Sequence, residues 1–196
     1  MPRPREFEPE QVLETAMREF WARGYRATSV DDLVRATGVK PGSLYGAFPG
    51  GKHALLMGSL ERYSRMVVPQ KLGDLEEPGA SLAQVRAYFD GLVADLLSPE
   101  GRAGCLLVNS AIENAAADPE VAAVVRGHHA RLEKCFTTAL RTAQPRGEIP
   151  ADVDPVARSK GLVAASQGLM VIGKANPDEE VLRAIEIGRA SCRERV

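Results

Sequence analysis

No segment of this sequence alternates apolar and polar residues long enough to make a useful β-strand. The one short alternation, "GEIPADVD" around Ile149, is broken by proline. No run of 18 apolar residues occurs, which excludes a membrane-spanning helix and makes a membrane partner unexpected. Cysteine is scarce: Cys105, Cys135 and Cys192 make an odd number with no CxxC spacing. That argues against a disulfide framework and a zinc site and fits a reducing compartment. Charge of one sign is also missing, since 25 Lys and Arg face 26 Asp and Glu for a net of −1. Global charge therefore gives no reason to expect nucleic acid. No nucleophile stands beside a paired base and no ligand cluster has metal spacing, so neither an enzyme, a cofactor nor a metal is expected. The opening "MPRPREFEPE" is polar, without an apolar signal core, and leads us to expect a cytoplasmic protein.

What the sequence does have is helical period almost throughout, so the expected fold is all-α. A first helix is expected over Pro9–Arg23, with Val12, Leu13, Ala16, Met17, Phe20 and Trp21 as its stripe. Pro9 suits a first turn and Gly24 a left-handed stop. "SVDD" sets Asp32 three residues after Ser29, the spacing of a capping box, so a second helix starts there. It ends at Gly38, and a short third helix follows over Pro41–Ala47. Gly42 inside it costs roughly 1 kcal/mol relative to alanine, so packing or function must outweigh that cost. Further helices are expected over Lys52–Leu72, Ser81–Leu97, Gly104–Ala116, Pro119–Ala143, Pro155–Ala175 and Pro177–Ile187. Residues 189–196 carry three arginines and no apolar period, and are expected to be a non-native or disordered tail.

Two short helices joined by the glycine turn "TGVK" have the layout of a helix-turn-helix, whose second helix enters the DNA major groove. Val39, Leu44 and Phe48 would anchor that helix. Lys40, Pro41, Gly42 and Ser43 would leave a small polar face outside. Tyr45 could pack its ring and offer its hydroxyl to a phosphate, and Lys52 opens the next helix.

The stretch "AMREFWARGYRATSVDDLVRATGVKPGSLYGAFPGGKHALL" resembles the N-terminal domain of the TetR/AcrR family of bacterial transcriptional regulators. Ala16, Phe20, Gly24, Tyr25, Thr28, Ser29, Gly38, Val39, Ser43, Leu44, Tyr45, Phe48 and Lys52 match its pattern in order. Gly46-Ala47 departs from it where many members carry a bulky polar residue, and "PGGK" is one residue longer than the commoner turn. The resemblance implies that Lys40, Pro41, Gly42 and Ser43 face bases and that Thr28, Tyr45 and Lys52 hold phosphates, with Arg26 as an extra contact. Over residues 1–56, eight Lys/Arg less seven Asp/Glu leave only +1. Binding would depend on where the charges lie and on two copies of the chain.

The resemblance also implies a double-stranded operator, a small-molecule effector and a homodimer through the C-terminal helices. We therefore expect a DNA-binding domain at 1–51 and an effector-binding and dimerisation domain at 52–188. The dimer seam would use Val163, Ser166, Gln167, Met170 and Val171, with Ala165, Gly168, Ile172 and Gly173 allowing close approach. In "GCLLVNSAIENAA", Cys105, Asn109 and Ile112 follow i, i+4, i+7, and Glu113 lies four after Asn109. Polar groups on an apolar wall suit a ligand pocket, for which Phe89, Cys105, Asn109, Ile112, Glu113, His128, Phe136, Gln167 and Met170 are the candidates. The function expected is a ligand-responsive regulator, a repressor released by its effector. The alternatives are a thiol sensor of the same fold using Cys105 and Cys135, and a small-molecule-binding helical protein without DNA activity.

Overall fold

The computed structural model describes residues 7–191, and among them no strand occurs. Ten α-helices follow in order: α1 Pro9–Arg23, α2 Val30–Thr37, α3 Pro41–Ala47, α4 Lys52–Met66, α5 Val68–Leu72, α6 Leu82–Leu97, α7 Leu106–Glu113, α8 Pro119–Ala143, α9 Pro155–Ala175 and α10 Glu179–Ser191. Short 3-10 turns cover Gly73–Glu76 and Glu100–Ala103.

Local chemistry sets most of the boundaries. Pro9 occupies the first turn of α1, where its missing N–H costs nothing. Gly24 ends α1 at a positive φ of 88°, although its ψ of 160° lies outside the left-handed helical region the sequence suggested. The capping box of α2 forms as read: Asp32 N–H donates to Ser29 Oγ at 3.1 Å, and Ser29 N–H donates to Asp32 Oδ2 at 2.9 Å. Those Ser29 contacts, the hydroxyl first, hold the Asp32 carboxyl down at about 2.

Three expected helices change extent. The helix expected over Lys52–Leu72 stops at Met66, and α5 begins after Val67. Pro69 is the cause: inside a continuous helix its ring would clash with the carbonyl four residues back, whereas in the first turn of α5 it fits. The helix expected over Gly104–Ala116 is shorter, because Gly104 turns at φ 70° and Asn114 closes α7. The last helix starts at Glu179 rather than Pro177, with the Asp178 side chain accepting from Val181 N–H at 3.0 Å. Of the tail expected at 189–196, residues through Ser191 continue α10 and 192–196 lie outside the described residues.

The chain divides into two compact units. One holds the residues up to Val67 together with Cys105–Val125. In it α1 packs chiefly on α4 and α2. Val12, Ala16, Phe20, Leu33, Leu44, Leu55, Leu56, Leu60 and Leu107 form its core. Each of the Val, Leu and Phe side chains among them contributes about 1.5–3 kcal/mol on burial. Gly58 lets α1 approach α4 closely, since a Cβ there would lie 2.6 Å from Leu13 Cδ2. Arg62 of α4 clamps the same pair through Glu10 at 2.5 Å and Glu14 at 3.0 Å.

The other unit holds Val68–Gly104 and the chain from Arg126 onward. Its core is an aromatic cluster in which Phe136 lies 5.9 Å from Phe89 and 5.4 Å from Tyr88, centroid to centroid. α9 packs on α6, and Gly173 makes that approach: a Cβ there would meet Leu96 Cδ1 at 2.6 Å. Gly173 and the buried Ser166 thus face their own chain rather than an outer seam. Arg131 grips Glu76 with two parallel bonds of 2.7 Å, and Lys71 pairs with Asp95.

Candidate nucleic-acid interface

The turn between α2 and α3 is set by Gly38, left-handed at φ 70° and ψ 4°, whose N–H returns to the Val34 carbonyl at 2.9 Å. The chain then reverses into α3, which is anchored from one side. Leu44 is buried and Val39 just before the helix is buried too. Lys40, Pro41, Gly42, Ser43 and Tyr45 are exposed. A Cβ placed on Gly42 or Gly46 would find nothing within 4 Å. Packing therefore does not explain the glycine at position 42. The residue leaves a flat outer surface on a seven-residue helix.

Tyr45 lies half out of the protein at 50% exposure, its ring edge resting on Gly51. Gly51 is fully committed there. Its φ is +61°, and a Cβ would come 2.7 Å from Tyr45 Cε1. Lys52 follows at the first turn of α4 with its ammonium 4.1 Å from the Tyr25 ring centroid, a cation–π distance. Partial burial lowers the Lys52 pKa, and Glu113 opposes that shift. Burial also raises the Tyr25 pKa, assisted by Asp118 and Glu113. Arg26 is exposed next to Tyr25. Arg26, Lys52 and Tyr45 are thus linked through Tyr25 and Gly51. Thr28 stands apart: it is fully buried, and its hydroxyl donates to the Gly24 carbonyl at 2.7 Å.

His53, beside Lys52, bonds through Nε2 to Asp118 Oδ2 at 2.8 Å, and Glu120 Oε2 lies 3.7 Å away. These three are the described residues with the spacing of a small metal cluster. Asp118 is already the cap of α8, accepting from Val121 and Glu120 N–H at 3.1 and 3.0 Å, and the Val121 bond first, then His53 and Glu120, lower its pKa against the opposing effect of burial. Both helix N-termini present here carry positive dipole ends, which disfavour a divalent cation. The cluster is a hydrogen-bonded tie between the first turn of α4 and the N-terminal cap of α8.

The nine candidates for a ligand pocket divide between the units. Cys105, Asn109, Ile112 and Glu113 belong to the first, and Ile112 is 68% exposed. Phe89, His128, Phe136, Gln167 and Met170 belong to the second. Phe89 and Phe136 are core residues there, and Gln167 Nε2 donates to Ser166 Oγ at 3.1 Å. Glu113 has a definite structural use: its carboxylate accepts the backbone N–H groups of Tyr25 at 2.9 Å and Arg26 at 2.6 Å. Sequence reasoning missed this link, because nothing local connects residues 88 positions apart.

Burial, then His129 and Arg131, push His128 down to about 4. A histidine whose folded pKa is depressed stabilises fully above its ordinary value of 6.5 and loses that contribution as pH falls toward 4. Acidification across that window is expected to lower the unfolding free energy, and His128→Gln to flatten the loss. Urea unfolding at pH 7 and pH 5 on both proteins measures it; equal slopes for the two would refute it.

Residues 12–57 match the profile of bacterial regulatory proteins of the tetR family, and residues 81–186 match the tetracyclin repressor-like C-terminal domain. The HTH-type transcriptional repressor ComR of Escherichia coli K12 is 31% identical over 93% of this chain and 87% of its own length. The HTH-type transcriptional regulator YezE of Bacillus subtilis 168 is 32% identical over 93% of this chain and 94% of its own. Among solved structures, a cysteine mutant of the TetR family transcriptional regulator CifR, complexed with 26-bp double-strand operator DNA, superposes with a TM-score of 0.82. It is 27% identical, and the match covers 96% of this chain and 98% of that one.

Proposed function

The chain belongs to the TetR family of bacterial regulatory proteins, and we propose that it is a repressor which grips a palindromic operator as a homodimer and releases it on binding a small-molecule effector. It is a DNA-binding transcriptional regulator. The observation that carries the site assignment is the outer face of α3. Lys40, Pro41, Gly42, Ser43 and Tyr45 are exposed together around a single buried anchor, Leu44. A helix that gives up propensity at Gly42 without packing anything against it is suited to close approach by another surface. In this reading Lys40 to Ser43 lie against base edges, and Tyr45, Arg26 and Lys52 position the backbone of the duplex. Thr28 supports the loop that carries Arg26.

One short recognition helix reads few base pairs, so two copies one helical turn apart are needed for selectivity. The dimer surface we assign is the outer side of α9 and α10, where Val171, Ile172 and Val181 are 43%, 40% and 37% exposed. The reading heads occupy residues 1–51, joined at the duplex backbone by Lys52 from the first turn of the effector and dimer part, residues 52–188, in a protein that works in the cytoplasm and catalyses nothing. The effector shifts the balance only by its difference in affinity for the gripping and released forms. A thiol sensor is not favoured. Neither Cys105 nor Cys135 forms a disulfide, both are buried, and burial followed by Glu76 pushes the Cys135 thiol up, away from the reactive thiolate.

Selection from a random duplex pool tests the reading. The expected product is an inverted repeat, and no enrichment over random duplex would sink it. Lys52→Ala is expected to weaken all sequences alike and to reduce the slope of log K against log salt by about one per subunit, since one phosphate contact is lost on each. A salt titration with the selected duplex measures that slope; an unchanged slope removes Lys52 from the contact set.

A further inference from the structure

Gly24 to Ser29 joins α1 to α2, and this loop carries Tyr25 and Arg26. Backbone N–H groups in such a loop need partners. Those of Tyr25 and Arg26 find both oxygens of one carboxylate, Glu113 Oε2 at 2.9 Å and Oε1 at 2.6 Å. Hydrogen bonds to an ionised acceptor are about twice as strong as neutral ones. The fit is close, since a Cβ on Gly24 would approach Glu113 Oε2 to 3.2 Å.

The location of Glu113 gives the contact its meaning. It is the last residue of α7, at the negative end of that helix, where a carboxylate is disfavoured. A helix terminus of this kind suits Lys or Arg, so the carboxylate is there against local preference. Its gain is the loop. Through Tyr25 the effect extends to Lys52, whose ammonium sits over the Tyr25 ring.

We propose that Glu113 is a positioning residue for DNA recognition, holding Tyr25 and Arg26 by their amides and thereby setting Lys52, so that operator affinity depends on where the C-terminus of α7 stands. The inference rests on the reading that Arg26 and Lys52 meet DNA. It makes the loop between α1 and α2 answerable to α7 as well as to the helix that follows the recognition helix.

Charge gives a test that separates positioning from plain electrostatics. Glu113 is an anion close to a surface assigned to phosphates. If it contributed only charge, Glu113→Gln and Glu113→Ala would tighten DNA binding. Positioning predicts the opposite sign. With the duplex that wild-type protein selects from a random pool, Glu113→Ala is expected to bind at least about 10-fold more weakly, and Glu113→Gln, which keeps one carbonyl acceptor, less weakly than that. Lys52→Ala should then cost less than half as many-fold in the Glu113→Ala background as in wild type, because the two act on one unit. Circular dichroism of each variant separates this from loss of fold. Hydrogen exchange of the wild-type protein needs no variant: the Tyr25 and Arg26 amides are expected to exchange far more slowly than that of Ala27. Variants that bind equally or more tightly overturn the inference while leaving DNA binding intact, and so do unprotected Tyr25 and Arg26 amides. Failure of the wild-type protein to select any sequence overturns the DNA contacts and the inference together.

Discussion

Gly42→Glu is expected to stabilise the folded protein and to abolish useful operator binding. Nothing lies within 4 Å of a Cβ at this position, and the residue follows Pro41 in the first turn of α3. Replacing glycine in a helix by a good helix former gains about 0.5–1 kcal/mol. A carboxylate near a helix N-terminus adds about 0.3–1 kcal/mol. Both terms favour the variant when it stands alone. Against DNA they reverse. The new side chain fills the flat face at which bases are to arrive, and it brings negative charge toward phosphates, a juxtaposition that costs several kcal/mol. Affinity for the selected duplex should fall at least about 100-fold, equivalent to roughly 2.7 kcal/mol. Urea unfolding and gel retardation on the same preparation read the two signs. Binding retained within a few-fold would show that α3 does not present this face to the duplex.

The same residue shows how far a sequence carries this kind of reading. A glycine costing helix stability is visible in the string of letters, but whether packing demands it is not; the open space around Gly42 removes packing as the reason. The helix-turn-helix was legible because its signals are local: the Ser29–Asp32 box, the Gly38 turn and the spacing of Val39 and Leu44 all act within a few residues. Helix ends read less well where one proline competes with a long apolar period, as at Pro69. The surroundings of Lys52 could not be read at all. Glu113 reaches Tyr25 and Arg26 across 88 and 87 residues, and a carboxylate on an apolar helix looks the same whether it serves a ligand, water or a loop. Thr28 carries a further lesson. A threonine before a helix suggests a phosphate contact by family pattern, yet its hydroxyl is spent on the Gly24 carbonyl.

Phe136→Ala separates core from pocket in the second unit and should give the largest stability change. Periodicity alone leaves both roles open to Phe89 and Phe136, since a pocket wall and a core have the same composition. In the structure Phe136 is fully buried, its ring stacked on Phe89 with an interplanar angle of 21° and edge-on to Tyr88 at 77°. Removing a ring so enclosed forfeits its transfer free energy and leaves a cavity, a combined cost of about 3–5 kcal/mol. That is a large share of the roughly 5–15 kcal/mol by which a domain is stable. At one fixed protein concentration, the urea midpoint should therefore fall by more than about 1 M. A pocket residue behaves differently, because its face is already unopposed by protein and truncation only enlarges the space. A cost under about 1 kcal/mol would thus return Phe136 to the list of effector-contacting residues. A full-sized loss would confine the search for the effector's contacts in this unit to side chains outside the aromatic cluster, the polar Gln167 and the apolar Met170 among them.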